Sequence, residues 1–339
     1  MDKTKLLSSC ESDYNSDLHS WIDIERQVAN LAEAGFTHTQ WMQNWEGEYM
    51  YSPSEMFQVR DLMNHYGIHA HSIHATEGGK RTIRVDGRPV FRNRYRFADI
   101  RKDYTSLNEY TRLAGVDLLK NRIDLCSHIG ASVMVLHMQL PYKLFEEKPD
   151  EKTAYYRQVF KSFDEIEGYA KAAGVRIALE NLICTPQSWQ DEQFDLFFDR
   201  YDEDFLGFAY DSGHCALMCR EDLYHFLRKY HKRMYATHLQ DNESISDELL
   251  YQEDGIQADT EVLIHDRHWI PNVDGTLDQG ILDWKLIAEY VAKAPMQLPA
   301  DFEVMIAGKD GSAEDELRQL KVCHRQAELF YQMVLDAKK

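Results

Sequence analysis

Apolar residues along this chain fall into two alternating textures: short runs bounded by glycine or proline, and longer stretches that repeat at helical spacing. Short bounded runs mark strands buried on both faces, and the 3.6-residue repeat marks helices packed against them. Leu6 to Ser9 predicts a weak first strand. Leu18 to Ala34 carries helical spacing and stops at Gly35, a residue suited to the left-handed turn that closes helices. Phe36 to Met42 predicts strand two. Ser52-Pro53-Ser54-Glu55 offers an N-cap, a proline at the first helical position and a glutamate three residues on, so a helix runs from there to Tyr66. Ile68 to His74 predicts strand three.

After one interruption the alternation resumes. Strands are expected at Ser132 to His137, Val175 to Glu180, Leu206 to Asp211, Met234 to Leu239 and Phe302 to Ile306. The helices between and after them cover about Leu107 to Ile129, Glu151 to Ala173, Phe194 to Arg200, Glu221 to Tyr230, Asp283 to Val291 and Ala313 to Leu335. Eight strands alternating with eight helices, undivided by any linker, make a single-domain α/β (β/α)8 TIM barrel over residues 1–339 the economical fold. The interruption, about residues 75–99, reads as a basic β-hairpin insertion after strand three that turns at Asp86-Gly87. It carries Lys80, Arg81, Arg84, Arg88, Arg92, Arg94 and Arg96. Two readings fit it: a solvated insertion pairing with acidic surface, or a lid or subunit contact that meets an anionic substrate group. A long loop is expected over about 240–280.

The strand ends change the picture from fold to chemistry. His74, His137, Glu180, Asp211, His238 and Glu303 all fall at or near the C-terminal ends of predicted strands three to eight, the face of such a barrel that carries function. One aspartate at a strand end is commonly a helix cap, and one histidine a satisfied polar residue. Six in one register call for a countercharge, and a divalent metal supplies it. Two glutamates, an aspartate and a histidine form a mixed oxygen and nitrogen shell suited to Mn²⁺, Mg²⁺, Co²⁺ or Zn²⁺.

Charge narrows the partners. The formal net charge is −19, which repels polyanions, so no nucleic-acid partner is expected. Six scattered cysteines without a CxxC pair suit reduced thiols in a cytoplasm. No apolar run is long enough to cross a bilayer, so no membrane partner is expected either.

The motifs Val135-Leu-His137, Ala178-Leu-Glu-Asn181, Tyr210-Asp-Ser-Gly-His214, Thr237-His-Leu-Gln-Asp241, Asp266-Arg-His268 with Asp274-Gly-Thr-Leu-Asp278, and Phe302-Glu-Val304 together resemble the xylose isomerase-like TIM barrel superfamily. That superfamily holds sugar phosphate isomerases and epimerases and the apurinic-site endonucleases. The resemblance implies one metal held by Glu180, Asp211, His238 and Glu303. It also implies that Glu180 and Glu303 are the acid/base pair, and that His74, His137, His214, Asp266 and His268 contact substrate. The chain departs from the pattern at Thr39-Gln40-Trp41, where many members carry a strand-two glutamate, and at Pro271-Asn-Val-Asp-Gly275.

The function this implies is a metal-dependent isomerase or epimerase of a small sugar, sugar phosphate or polyol-derived ketone, free to form a homo-oligomer. A lyase acting on an inosose-like ketone would use the same parts. A metal-dependent phosphoesterase resembling the apurinic-site endonucleases is the alternative, because His74, His137, Asp266 and His268 match positions in that three-zinc site. A barrel that binds a ligand without turnover is the third reading.

Overall fold

Two helix ends read from the sequence are present, the Gly35 stop and the Ser52 cap, while the first helix starts at Trp21 rather than Leu18. In the computed structural model, Ser20 caps α1 (Trp21–Ala34) and Gly35 closes it at φ 109°. Both halves of the capping box formed by Ser52 and Glu55 are present at the start of α2 (Pro53–Tyr66). The structure describes residues 6–15, 20–44, 47–75, 82–85, 88–92, 101–183, 185–243, 268–306 and 312–339.

The barrel strands are β1 (Ser9–Glu11), β2 (His38–Trp41), β3 (His69–Ala75), β6 (Val133–Leu136), β7 (Arg176–Glu180), β8 (Leu206–Asp211), β9 (Met234–His238) and β10 (Asp301–Phe302). They pair in the order β10-β1-β2-β3-β6-β7-β8-β9, every pair parallel. The two ends meet where Leu239 bridges Phe302, with the Leu239 N–H donating to Asp301 O (2.9 Å) and the Glu303 N–H to Leu239 O (3.2 Å). The eight strands therefore form a nearly closed TIM barrel. Between β3 and the next helix, β4 (Thr82–Val85) and β5 (Arg88–Arg92) make the expected antiparallel hairpin. Lys80, Arg81, Arg94 and Arg96 beside it lie outside the described residues, as does 244–267 of the long loop.

Helices α3 (Glu109–His128), α4 (Tyr142–Glu147), α5 (Pro149–Ala173), α6 (Gln187–Arg200), α7 (Ser212–Met218), α8 (His225–Tyr230), α9 (Trp284–Val291) and α10 (Ala313–Ala337) complete the described elements. Several elements differ from expectation. The first strand begins at Ser9 rather than Leu6, because its inward positions Ser9 and Glu11 are polar and leave no apolar run to read. The last strand stops at Phe302: the Met305 N–H turns to His268 O (3.0 Å) and the Ile306 N–H to Tyr14 O (2.9 Å), taking the chain out of the ladder. The helix expected over Glu221 to Tyr230 is shortened to α8, and an additional helix, α7, capped by Asp211, precedes it.

Main-chain register splits the barrel interior into two halves. On one side Val133, Val135, Ala178, Ala209, Tyr235 and Ala236 form a small apolar plug, and the residues two positions beyond Val135, Ala178, Ala209 and Ala236 are His137, Glu180, Asp211 and His238. Alternation along a strand puts each of those pairs on the same face, so the plug is the floor beneath four of the candidate residues. The other side is polar. Asp301 accepts from the hydroxyls of Ser9 and Ser72 (2.7 Å for Ser72) and from His71 Nδ1 (2.9 Å). Outside the sheet, the buried aromatics Phe163, Phe194, Phe197, Phe205, Phe208 and Phe226 join α5, α6 and α8 to the strands, largely edge to face. Such pairs add about 0.5–1.5 kcal/mol each beyond the area they bury.

One contact between α6 and α8 gives a pH test of this packing. Asp191 accepts from His225 Nε2 (2.8 Å), Lys229 Nζ (3.0 Å) and Tyr230 Oη (3.0 Å). Burial raises the Asp191 pKa, but the bonds and charges of His225 and Lys229 outweigh it and hold the carboxyl below its usual value. A depressed carboxyl stabilises the fold above its unfolded pKa, near 3.9, and that contribution disappears as pH falls through the folded value. Wild type is therefore expected to melt above Asp191→Asn at pH 6, with the gap closing as pH is lowered below about 4. Parallel melting curves with a constant gap down to pH 2.5 would contradict this.

Candidate active site

Strand alternation and the barrel's closure bring five of the predicted residues to one point. Glu180, Asp211 and His238 are the last residues of β7, β8 and β9, Glu303 follows β10 directly, and His74 is the penultimate residue of β3. All five are buried, His238 and Asp211 completely. His238 Nδ1 lies 2.7 Å from Glu303 Oε2 and 3.0 Å from Glu180 Oε2. His137, just past β6, has Nε2 3.0 Å from Glu180 Oε2 and 3.1 Å from His74 Nε2. One ligand atom from each of Glu180, Asp211, His238 and Glu303 lies within 4.8 Å of all the others, and His74, Glu180 and His238 form a second such group.

Neighbouring polar groups fix these side chains. Asp211 Oδ1 accepts the His214 N–H (2.6 Å) and Oδ2 accepts from Gln240 Nε2 (2.9 Å), so both oxygens are oriented. The Asn181 side chain ties β7 to β8, donating to Asp211 O (2.9 Å) and accepting the Asp211 N–H (2.9 Å). The ring nitrogen of His74 facing Ala75 O (3.0 Å) is Nδ1; a carbonyl only accepts, so a proton sits there and Nε2 faces the site. By the same logic His214 carries its proton on Nδ1, 3.2 Å from Asn181 O. The His268 ring stands 5.9 Å from the His214 ring, so these two predicted substrate contacts lie together. Asp266 lies outside the described residues.

The centre of the site is electrostatically incomplete. Among the described residues, neither Glu180 oxygen, nor Glu303 Oε2, nor either ring nitrogen of His238 has a hydrogen-bond partner, although all are buried. A single N–H cannot serve two carboxylates at once, and orphaned buried charges are costly. Burial pulls the His238 pKa down, yet Glu180 and Glu303 together raise it well above the usual value. Burial pushes Glu303 up, and His238 outweighs this and holds it at about 2. Burial and nearby His74 lower His137 to about 4 against the pull of Glu180, so it is neutral at pH 7. Two anionic carboxylates around one imidazole nitrogen, with Asp211 in reach, fit a divalent cation: oxygen and nitrogen donors, negative overall, with unspent lone pairs.

Two features were not legible from the motifs. Glu11, the last residue of β1, is buried at this level of the barrel. Burial, then Glu303, holds its carboxyl well above the usual range. Its signal was the same strand-end rule, hidden because the first strand reads two residues early. Asp241 is the other. Fully buried, it accepts from the backbone N–H of Ile281 (2.9 Å), Asn242 (3.1 Å), Leu282 (3.3 Å) and Asn272 (3.3 Å) and from Trp284 Nε1 (2.7 Å). It pins the segment that begins at His268 against the barrel. Gly280 passes it at φ +97°, where a Cβ would sit 2.3 Å from Asp241 Oδ2.

Comparison with known proteins agrees with this architecture. Protein y4fM of Sinorhizobium fredii (strain NBRC 101917 / NGR234) is 30% identical over 287 residues, 84% of this chain and 82% of its own length. Among solved structures, D-psicose 3-epimerase in the presence of D-fructose superposes with TM-score 0.61 at 13% identity, covering 96% of this chain and 98% of that one. A xylose isomerase-like TIM barrel protein from Mycobacterium smegmatis in complex with magnesium gives TM-score 0.59 at 15% identity, covering 99% and 98%. The family described as xylose isomerase-like TIM barrel matches residues 28–323, and the chain belongs to that family.

Proposed function

We propose that this chain is a divalent-metal-dependent isomerase or epimerase of a small sugar, sugar phosphate or polyol-derived ketone. The observation that carries the reading is the approach of Glu180 and Glu303 to one nitrogen of His238, at 3.0 and 2.7 Å, with Asp211 in the same cluster. Glu180, Asp211, His238 and Glu303 would hold the metal, one of Mn²⁺, Mg²⁺, Co²⁺ or Zn²⁺. When bound, it supplies Lewis-acid stabilisation for the negative charge that develops on the substrate oxygens. The fold likeness to a sugar 3-epimerase and to a magnesium-bound relative supports the class.

The rest of the chemistry belongs to the side chains. One of Glu180 and Glu303 takes the proton from the carbon beside the substrate carbonyl, leaving the electron pair to form an enediolate. The other, protonated for this step, returns a proton: to the opposite face of that carbon for an epimerase, or to the former carbonyl carbon for an isomerase, where the hydroxyl proton of the first carbon passes to the former carbonyl oxygen. His214 and His268, paired at the rim, and neutral His137 with His74 hold the substrate hydroxyls, with Asp266 assigned to the same set. The buried floor of Val135, Ala178, Ala209 and Ala236 excludes water from below. The unpaired thiols among the described residues, Cys10, Cys126, Cys215, Cys219 and Cys323, suit the cytoplasmic setting we assign it. Among the described residues no helix is long and apolar enough to cross a membrane.

One observation favours a second reading. His74, Glu180 and His238 form an additional group of metal-capable atoms, as a multinuclear phosphoesterase resembling the apurinic-site endonucleases requires. The net charge of −19 weighs against a DNA substrate. Incubating the metal-loaded protein with ketoses, ketose phosphates, inosose and abasic-site DNA separates the two. Interconversion of a sugar with intact DNA is expected, and cleavage of the DNA with every sugar unchanged would overturn the proposal.

A further inference from the structure

The polar half of the barrel interior holds two buried groups that the proton-transfer chemistry does not use. Glu11 pairs with Gln40 of β2, one residue past the Cys10–Phe302 pair, which sets it level with Glu303 on the neighbouring strand. It shares a face with Ser9, whose hydroxyl reaches Asp301 inside the barrel, so its side chain also points inward. Glu11 is 5% exposed, and among the described residues its carboxyl makes no hydrogen bond or ion pair.

Gln40 is fully buried beside it. Its Nε2 lies 2.9 Å from Ser72 Oγ, and that hydroxyl lies 2.7 Å from Asp301 Oδ2. A serine has one proton, and here it goes to the carboxylate. Ser72 therefore accepts from Gln40, and the atom facing it must be the amide nitrogen. This fixes Gln40 Oε1 as the outer atom, and among the described residues it has no hydrogen-bond partner. The row Gln40–Ser72–Asp301 thus locks the amide in one orientation and leaves a buried acceptor beside an unengaged carboxyl. Leaving the Gln40 oxygen unused costs stability unless a ligand engages it.

We infer that Glu11 and Gln40 form the hydroxyl-recognition end of the site, binding hydroxyls of a polyhydroxy ketone away from its reacting carbon. The inference rests on the sugar reading above and adds the substrate's distal contacts to it. Gln40 Oε1 accepts one hydroxyl proton and the Glu11 carboxyl engages a neighbouring hydroxyl. A site built on such contacts rejects analogues that lack the hydroxyl, because the buried groups are then left unpaired. Glu11 and Gln40 act in binding and selection, and the proton moves elsewhere.

The test uses the metal-loaded full chain with D-fructose, D-psicose, D-tagatose and L-ribulose, followed by deoxy analogues of whichever is turned over, lacking one hydroxyl beyond the reacting carbon. Glu11→Gln and Gln40→Met keep the side-chain volumes, and thermal unfolding of each reports whether it folds. Both are expected to raise KM tenfold or more, with kcat changed less than threefold and the calorimetric Kd rising in step with KM. One deoxy analogue should bind wild type and Glu11→Gln equally, removing the effect of the substitution. Unchanged KM and Kd in both folded variants, with wild type active, would overturn this inference alone. If neither variant folds, Gln40→Glu, which keeps the outer oxygen but loses the donor to Ser72, and the deoxy series on wild type decide: no analogue losing tenfold in affinity overturns it. A wild type that binds none of these sugars, and none of the ketose phosphates and inosose named above, removes the sugar reading and this inference together.

Discussion

Replacing His238 with alanine is expected to strip the protein of its divalent metal. His238 is the one nitrogen donor of the four-residue group, and it is completely buried between two carboxylates. Without it, Glu180 and Glu303 face one another with a cavity between them, and the remaining oxygens cannot restore the fourth position. Loss of even an outer-shell partner typically lowers metal affinity 10–100-fold, and loss of a direct ligand is expected to cost at least about 100-fold. After dialysis against metal-free buffer, elemental analysis should find one metal per wild-type chain and less than about a tenth of that in the variant. Equal metal in both would remove His238 from the ligand set. Three metals per wild-type chain would favour the phosphoesterase.

Asp241→Ala should be the most destabilising single change outside the centre. Its carboxylate takes five donors, four of them backbone N–H groups from 242, 272, 281 and 282. The substitution leaves those donors buried and unpaired and opens a cavity behind Gly280. Each unpaired donor costs about 1–3 kcal/mol, but the loop relaxes in part, so the expected loss is roughly 3–5 kcal/mol. That corresponds to a fall in melting temperature on the order of 10 °C. Gly280→Ala should reproduce much of the effect through the clash with the same carboxylate. A melting temperature unchanged within about 2 °C for Asp241→Ala would show that the segment from His268 to Asp283 is held by something else.

These two residues also mark what could be read from the sequence. His238 was legible because an apolar run ending in a charged side chain has a fixed meaning in a parallel barrel: the last residue faces the common mouth. The same rule found Glu180, Asp211 and Glu303. Which atoms meet, and that two carboxylates share one nitrogen, depends on closure of the ring between Leu239 and Phe302, and no local pattern encodes that. Asp241 was quoted within a motif, yet its role was hidden because four of its five partners lie 31 to 43 residues downstream in a loop without periodicity. Glu11 and the Ser9–Ser72–Asp301 cluster were hidden for the opposite reason. A barrel interior is expected to be apolar, so polar inward positions read as strand ends or turns. The same effect put the expected end of the first strand at Ser9, two residues short of Glu11.

The central claim is that Glu180 and Glu303 move a proton at the carbon beside a sugar carbonyl. Its most direct test is deuterium incorporation, followed by NMR, when the metal-loaded protein turns over its ketose in D₂O. Wild type is expected to place one deuterium on that carbon. Glu303→Gln should slow the exchange by about 10²–10⁴ while remaining folded. Interconversion of the sugar with no deuterium at that carbon or at the former carbonyl carbon would contradict the account, because a hydrogen taken by one carboxylate cannot be the one returned by the other.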